Sequence, residues 1–217
     1  YLSKTISNMK KVRILILLVL LSQIASVNMS AYDFKSGGIY YYIGENNTVS
    51  VTSGDTKYTG DVVIPQQVRY NGTTYSVTSI GDWAFYKCSR LISLKIPNSV
   101  THIGYASIYA TGITRLQLPI NLMHIEFAGL AENRILNMLF IPQTVSKIES
   151  AGLLRYGCEL RDTARIAFLS ETPPSVSTRF FMDDAADADS LVIYVPNSAL
   201  SRYQTASYWI KYRDKLR

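Results

Sequence analysis

Apolar residues recur along the middle of the chain at a spacing longer than any turn of helix or pleat of strand. The pattern [VL]-x-x-I appears four times, with a proline three residues before its first position in the last three copies. The isoleucines are Ile80, Ile103, Ile125 and Ile148, so the steps are 23, 22 and 23 residues. A unit of about 20–29 residues repeated in this way indicates a solenoid, in which each unit buries its apolar side against its neighbours.

A second apolar segment precedes each later copy of this pattern. Its triplets L-x-[IL] occupy 94–96, 116–118 and 139–141. The fourth unit is irregular, because it has three extra residues after Leu160, and its corresponding triplet is 166–168. Because alternation with period two is the spacing of a half-buried strand, we expect these triplets to be short strands. The predicted fold is a β-rich leucine-rich-repeat solenoid of about four repeats of 22–23 residues.

Strand signals before the repeats predict an antiparallel β N-terminal cap at 32–79. Asn71-Gly72 lies between two β-rich runs, and this pair favours a type I′ hairpin turn because both positions need a positive φ. The predicted cap strands are 39–43, 48–52, 62–64 and 74–78.

The tail at 175–217 predicts a closing segment and a short helical C-terminal cap. Asn197 or Ser198 can cap the helix, and we expect Trp209 and Tyr212 to fold it over the last repeat. The predicted division of the chain is an upstream and signal segment (1–31), the N-terminal cap (32–79), the repeat array (80–174) and the closing segment with its cap (175–217).

The first residues resemble a secretory signal peptide. Lys10, Lys11 and Arg13 precede eight consecutive apolar residues at 14–21, a core too short to cross a membrane. Cleavage after Ala31 or after Ser30 fits the sequence, and an uncleaved anchor is the alternative. We therefore expect a protein that is exported to the cell surface or the extracellular space, with no transmembrane span after cleavage.

The net charge of +6 comes largely from this segment. Residues 1–31 hold four basic side chains and no acidic one, which leaves a mature chain near +2 (6 − 4). Such a mildly basic surface does not favour nucleic acid as a partner.

Residue types that carry chemistry are sparse. Cys88 is expected to be an inert core thiol, and Cys158 lies too many repeats away for a disulfide. His102 and His124 precede repeat isoleucines, and beside Glu126 they have the chemistry of a divalent metal site; we favour a solvated surface ladder, because neighbours of a buried residue point outward. With no nucleophile motif or phosphate loop, the sequence predicts no enzyme, no cofactor and no metal.

One predicted strand surface carries apolar residues where polar ones are expected. The residues just before a triplet and in its middle are expected to face outward. Arg115 and Met138 lie before two successive triplets, and Gln117 and Phe140 lie in their middle positions. Large apolar side chains beside an arginine have the composition of an interaction hot spot. These four residues are the predicted partner-binding site, and the alternative is that a cap or loop covers Phe140.

Two segments carry a resemblance to a known family. The sequences V-T-S-I-G-D-W-A-F-Y-K-C at 77–88 and I-P-N-S-V-T-H-I-G at 96–104 resemble the BspA-like leucine-rich repeats of Bacteroidetes surface proteins. Residues 32–34, 172–174 and 193–196 resemble the usual start and closing segments of such chains.

The resemblance implies an exported or surface protein, in some relatives involved in adhesion to host proteins or to other bacteria. We expect a non-catalytic module for protein–protein interaction or adhesion, whose partner is a host or bacterial surface protein. The alternative is a structural or glycan-binding surface module, in which tyrosines would stack on sugar rings.

Overall fold

The structure is a computed structural model that describes residues 32–133, 138–150, 153, 165–177 and 191–217. All described residues belong to one compact unit, Ala31–Arg217. The predicted signal segment, the insertion after Leu160 and Cys158 lie outside the described residues.

The described residues form mainly short strands. In chain order they are β1 (Phe34–Ser36), β2 (Ile39–Ile43), β3 (Thr48–Thr52), β4 (Gly60–Val63), β5 (Gln67–Tyr70), β6 (Thr73–Ile80), β7 (Leu91–Lys95), β8 (His102–Ile103), β9 (His124–Ile125), β10 (Leu139–Ile141), β11 (Lys147–Ile148), β12 (Arg165–Phe168), β13 (Ser175–Val176) and β14 (Val192–Tyr194).

The predicted cap hairpins are present, and parallel pairings join them to the repeats. Strands β1, β2 and β3 pair antiparallel, as do β5 and β6 around Asn71 (φ 46°) and Gly72 (φ 81°), which confirms the predicted turn. Strand β3 then pairs parallel with β6, and β4 pairs parallel with β7. The structure thus corrects one expectation, since the strands at 32–79 are not all antiparallel.

The largest sheet follows the repeat isoleucines. It has nine strands in the order β1-β2-β3-β6-β8-β9-β11-β13, with β5 added beside β6. Ile80, Ile103, Ile125 and Ile148 lie opposite one another in parallel register, and none of them is exposed. The predicted solenoid is therefore confirmed, and its core is the stack of these isoleucines with the apolar columns that follow them.

The triplet strands are confirmed except at 116–118. Strands β7, β10 and β12 include or overlap the predicted triplets, and β10, β12 and β14 form a parallel three-stranded sheet. At 116–118 the only pairing among the described residues is a single bridge between Gln117 and Lys95. One bridge does not make a ladder, because a strand needs consecutive paired residues, so the sheet is interrupted on this side of the solenoid.

A buried asparagine closes the turn region of two neighbouring repeats. Asn133 Oδ1 accepts hydrogen bonds from Thr111 N (3.0 Å) and Thr111 Oγ1 (2.6 Å), and Asn133 Nδ2 donates to Leu130 O (2.9 Å) and to Ile108 O. Cys88 occupies the equivalent place in the first repeat and is a buried free thiol, as predicted. Burial raises the pKa of this thiol, which favours its unreactive protonated form.

The C-terminal cap is helical, as predicted. It consists of a 3₁₀ turn (Asn197–Ala199), helix α1 (Leu200–Thr205) and a second 3₁₀ segment (Trp209–Lys215). Neither predicted capping side chain bonds to the helix, so that detail of the prediction is wrong. Ser198 Oγ instead donates to Glu171 Oε1 (2.7 Å), which ties the cap to the chain before β13.

Candidate partner-binding groove

The four residues predicted to bind a partner line one groove. Arg115, Gln117, Met138 and Phe140 surround a cavity of about 640 Å³, which lies where the sheet is interrupted. Phe140 is 54% exposed, Arg115 and Gln117 are also exposed, and Met138 is half-buried. No described residue covers the ring of Phe140 in the way that the alternative interpretation required.

Strand alternation explains why Phe140 points outward. Its neighbours Leu139 and Ile141 are buried in the core, and β10 pairs parallel with β12 on one side. Successive side chains of a strand point to opposite faces, so the middle residue of the triplet is directed to the surface. No pairing is seen between β10 and 113–118 in the described part of the chain, and the groove occupies the gap.

The groove combines apolar surface with positive charge. Lys95 and Arg115 contribute two cations to its lining, which contains no acidic residue. Neither cation forms an ion pair with a residue that the structure describes. An adjoining depression of about 540 Å³ shares Phe140 and Gln117 and continues toward the exposed Leu169.

A second group of polar side chains lies on the isoleucine side of the repeats. The rings of His102 and His124 contact each other edge to face, with centroids 4.8 Å apart. His102 Nε2 lies 2.7 Å from Glu126 Oε1, and His124 Nε2 lies 3.4 Å from Glu149 Oε1. The sequence predicts that His102 and His124 are neighbours, and it favours a row of solvated surface side chains there.

Aromatic rings form a third surface, which the sequence analysis missed. The Tyr105 ring stacks on Phe127 with centroids 5.2 Å apart and contacts Trp83 at 4.9 Å, and Tyr86 stacks on Tyr109 at 5.2 Å. Trp83 and Tyr105 are partly open to solvent, at 44% and 37%. The signal was present in the sequence, because Tyr105 and Phe127, and likewise Tyr86 and Tyr109, are one repeat apart.

The repeats place the chain in a known family. Residues 68–167 match the BspA type leucine rich repeat region, in six copies. The repeats at 68–167 are therefore of the BspA type. Arrays of this family act as protein-interaction modules, are generally surface-associated, and are typically non-catalytic.

Solved structures of leucine-rich repeat proteins are similar to this chain. A leucine-rich repeat protein from Bacteroides ovatus is 26% identical with a TM-score of 0.53, over 76% of this chain and 41% of that chain. A leucine-rich repeat protein from Bacteroides capillosus is 26% identical with a TM-score of 0.48, over 61% and 96% of the two chains. A leucine rich cell surface protein from Faecalibacterium prausnitzii is 20% identical with a TM-score of 0.45, over 79% and 55%. The first likeness supports the solenoid fold.

Two further findings bear on how the chain is classified. No curated protein matches it. Among the helices of the described ranges, none has the length and apolar character needed to cross a membrane.

Proposed function

We propose that this chain is an exported or cell-surface module that binds another protein through the groove lined by Arg115, Gln117, Met138 and Phe140. The single observation that carries the proposal is the exposed ring of Phe140, which lies beside Met138 and two cations that form no ion pair with a described residue. Export is part of the proposal and rests on the basic and apolar residues at 10–21. The proposed division into 32–79, 80–174 and 175–217 assigns the groove to the repeat array.

The lining of the groove indicates the chemistry of the partner. Phe140 and Met138 offer apolar surface for a large apolar side chain, while Lys95 and Arg115 attract a carboxylate. We therefore expect the partner segment to combine a large apolar residue with a nearby aspartate or glutamate. Such a segment fits a protein partner better than a neutral sugar.

Selection of displayed peptides on the immobilised chain tests this chemistry. We expect the retained peptides to be enriched in an acidic residue next to a large apolar one. The double variant Met138→Ser/Phe140→Ser should lose about 2 kcal/mol or more of binding free energy, because it removes the apolar anchors. Its melting temperature should change little, because Phe140 is already exposed.

A matched control uses another exposed strand residue. Ile92 lies on β7, is 65% exposed and is not part of the groove lining, so Ile92→Ser should leave peptide binding unchanged. Retained binding in the double variant, or peptides without acidic enrichment, would show that the groove is not the binding face. A large loss of thermal stability would show that Met138 and Phe140 belong to the core.

The aromatic surface supports a second candidate function, glycan binding. Exposed aromatic rings supply flat apolar faces on which sugar rings stack, and Trp83 and Tyr105 present such faces next to each other. Lys57 and Lys87 lie near the Tyr86 ring and add hydrogen-bond donors at the edge of this surface.

A glycan array distinguishes the two candidates. If the aromatic surface binds sugar, the wild-type chain retains specific glycans, and Trp83→Ala or Tyr105→Ala weakens that binding about tenfold, which corresponds to about 1.4 kcal/mol of lost ring contact. The groove variant Met138→Ser/Phe140→Ser should bind the same glycans as the wild type. Absence of any retained glycan would remove this candidate.

A further inference from the structure

We propose that His102, His124 and Glu126 form a binding site for a divalent transition-metal ion, with Zn²⁺ as the ion that the ligand set fits best. One ligand atom from each of the three side chains lies within 4.8 Å of the others. Two imidazole nitrogens and a carboxylate oxygen are ligands that zinc accepts, and the remaining tetrahedral position is left for water or for a side chain of a partner.

The repeat geometry brings these three residues together. His102 and His124 are paired in parallel register between β8 and β9, so their side chains are neighbours in one column. Glu126 lies two residues after His124 and therefore points to the same face. From there its carboxylate reaches diagonally to His102, and the contact of Glu149 with His124 repeats the same diagonal one repeat later.

The Nε2 atom of His124 is buried and forms no hydrogen bond with a described residue, and Glu149 Oε1 lies 3.4 Å from it. A metal ion would supply the partner that this buried nitrogen lacks.

His102 is already held against the third ligand. Its Nε2 lies 2.7 Å from Glu126 Oε1, which is a hydrogen bond between imidazole and carboxylate. A zinc ion bound there would replace this hydrogen bond with one bond to each of the two atoms, and the neutral imidazole would then carry its proton on Nδ1.

Lys147 marks the boundary of the site. Its Nζ binds Glu149 Oε1 at 2.8 Å and places a positive charge next to His124 in the same column. That charge opposes a bound cation, and it holds Glu149 away from the metal. Removing it should strengthen zinc binding, whereas a simple ion-pair cluster without metal affinity would show no such response.

Calorimetric titration with ZnCl₂ tests the proposal on the full chain, treated with chelator and carrying no histidine tag. We expect one zinc ion per chain. His124→Gln and His102→Gln should each weaken binding by at least about tenfold. Lys147→Gln should bind zinc more tightly than the wild type.

Circular dichroism and the melting temperature establish that each variant is folded. If His124→Gln does not fold, Glu126→Gln replaces it, because that carboxylate is part-exposed and its removal leaves both imidazoles in place. Wild-type zinc binding no stronger than that of a His102→Gln/His124→Gln double variant would overturn the proposal. The cluster of five side chains (His102, His124, Glu126, Lys147 and Glu149) would then consist of ion pairs only.

Discussion

Two tyrosines of the N-terminal cap have buried hydroxyl groups that differ in whether a described residue forms a hydrogen bond with them. Tyr41 Oη is buried and has no hydrogen-bond partner among the described residues. Tyr58 Oη accepts from Tyr40 N (3.0 Å) and donates to Thr52 O (2.6 Å). Because an unpaired buried hydroxyl is destabilising and a paired one is stabilising, the same substitution should have opposite effects at these two positions.

We expect Tyr41→Phe to raise the free energy of unfolding by about 1 kcal/mol, since it removes only an unsatisfied hydroxyl. Tyr58→Phe should lower it by about 1–3 kcal/mol, because Tyr40 N and Thr52 O lose their partner. Urea unfolding of both variants measures the difference. A stability loss in Tyr41→Phe as large as that in Tyr58→Phe would contradict this account of the cap.

The same pair predicts the response to alkaline pH. Burial raises the pKa of Tyr41 from 10.0 to about 12, and it raises the pKa of Tyr58 in the same direction. A group whose folded pKa is raised stabilises the fold fully below its unfolded pKa and loses that contribution as the pH rises through the folded value. Stability should therefore fall above pH 10, and the fall should be smaller in Tyr41→Phe.

At the scale of elements, the C-terminal cap depends on one tryptophan. Trp209 is buried, and its ring contacts Phe168 and Tyr203 edge to face, with centroids 4.8 Å and 4.5 Å away. Its Nε1 also donates to Pro174 O at 3.1 Å. The ring thus joins the helical cap to β12 and to the segment that precedes β13.

Trp209→Ala should lower the free energy of unfolding by about 3–5 kcal/mol, because it leaves a large cavity and an unpaired carbonyl. The neighbouring Ile210 is 58% exposed, and Ile210→Ala should change stability by no more than about 0.5 kcal/mol. Thermal and urea unfolding of the two variants make the comparison. Equal effects would mean that the cap does not stabilise the end of the array.

The interruption at 116–118 shows how one element differs from its repeats. Its triplet has the same apolar alternation as 94–96 and 139–141, yet only Gln117 is bridged to a neighbour. Leu118 remains buried in the core while Leu116 is only partly buried. The segment 116–118 thus lacks a ladder of backbone hydrogen bonds but still contributes Leu118 to the core. This side of the solenoid can therefore form a groove while the hydrophobic core stays continuous.

At the scale of the whole described unit, each repeat presents three different sides. The isoleucine side carries His102 and His124, the turn side carries the aromatic rings, and the triplet side carries the groove with Phe140. In a solenoid each side extends as a column through successive repeats, so three separate surfaces can be built from one repeated unit. This is why substitutions in one column can test one proposal without disturbing the others.

Much of the fold was determined by the sequence alone. The isoleucine column, the Asn71-Gly72 hairpin and the helical C-terminal cap all follow from neighbouring residues or from a fixed repeat step. Periodicity and turn chemistry are local properties, so they can be read without knowing how the chain packs. The same columns also identified the four residues that line the groove.

Only the tertiary structure decided what each column does. The aromatic ladder depends on turns in which non-glycine residues such as Trp83 (φ 59°), Ala106 (φ 45°) and Ala128 (φ 54°) adopt left-handed backbone angles, which their types do not predict. The opening at 116–118 depends on lateral packing between repeats, and so does the burial of His124 Nε2, which forms no hydrogen bond with a described residue. Sequence spacing specifies which residues become neighbours, but distances, burial and hydrogen bonding between them are set only when the repeats stack.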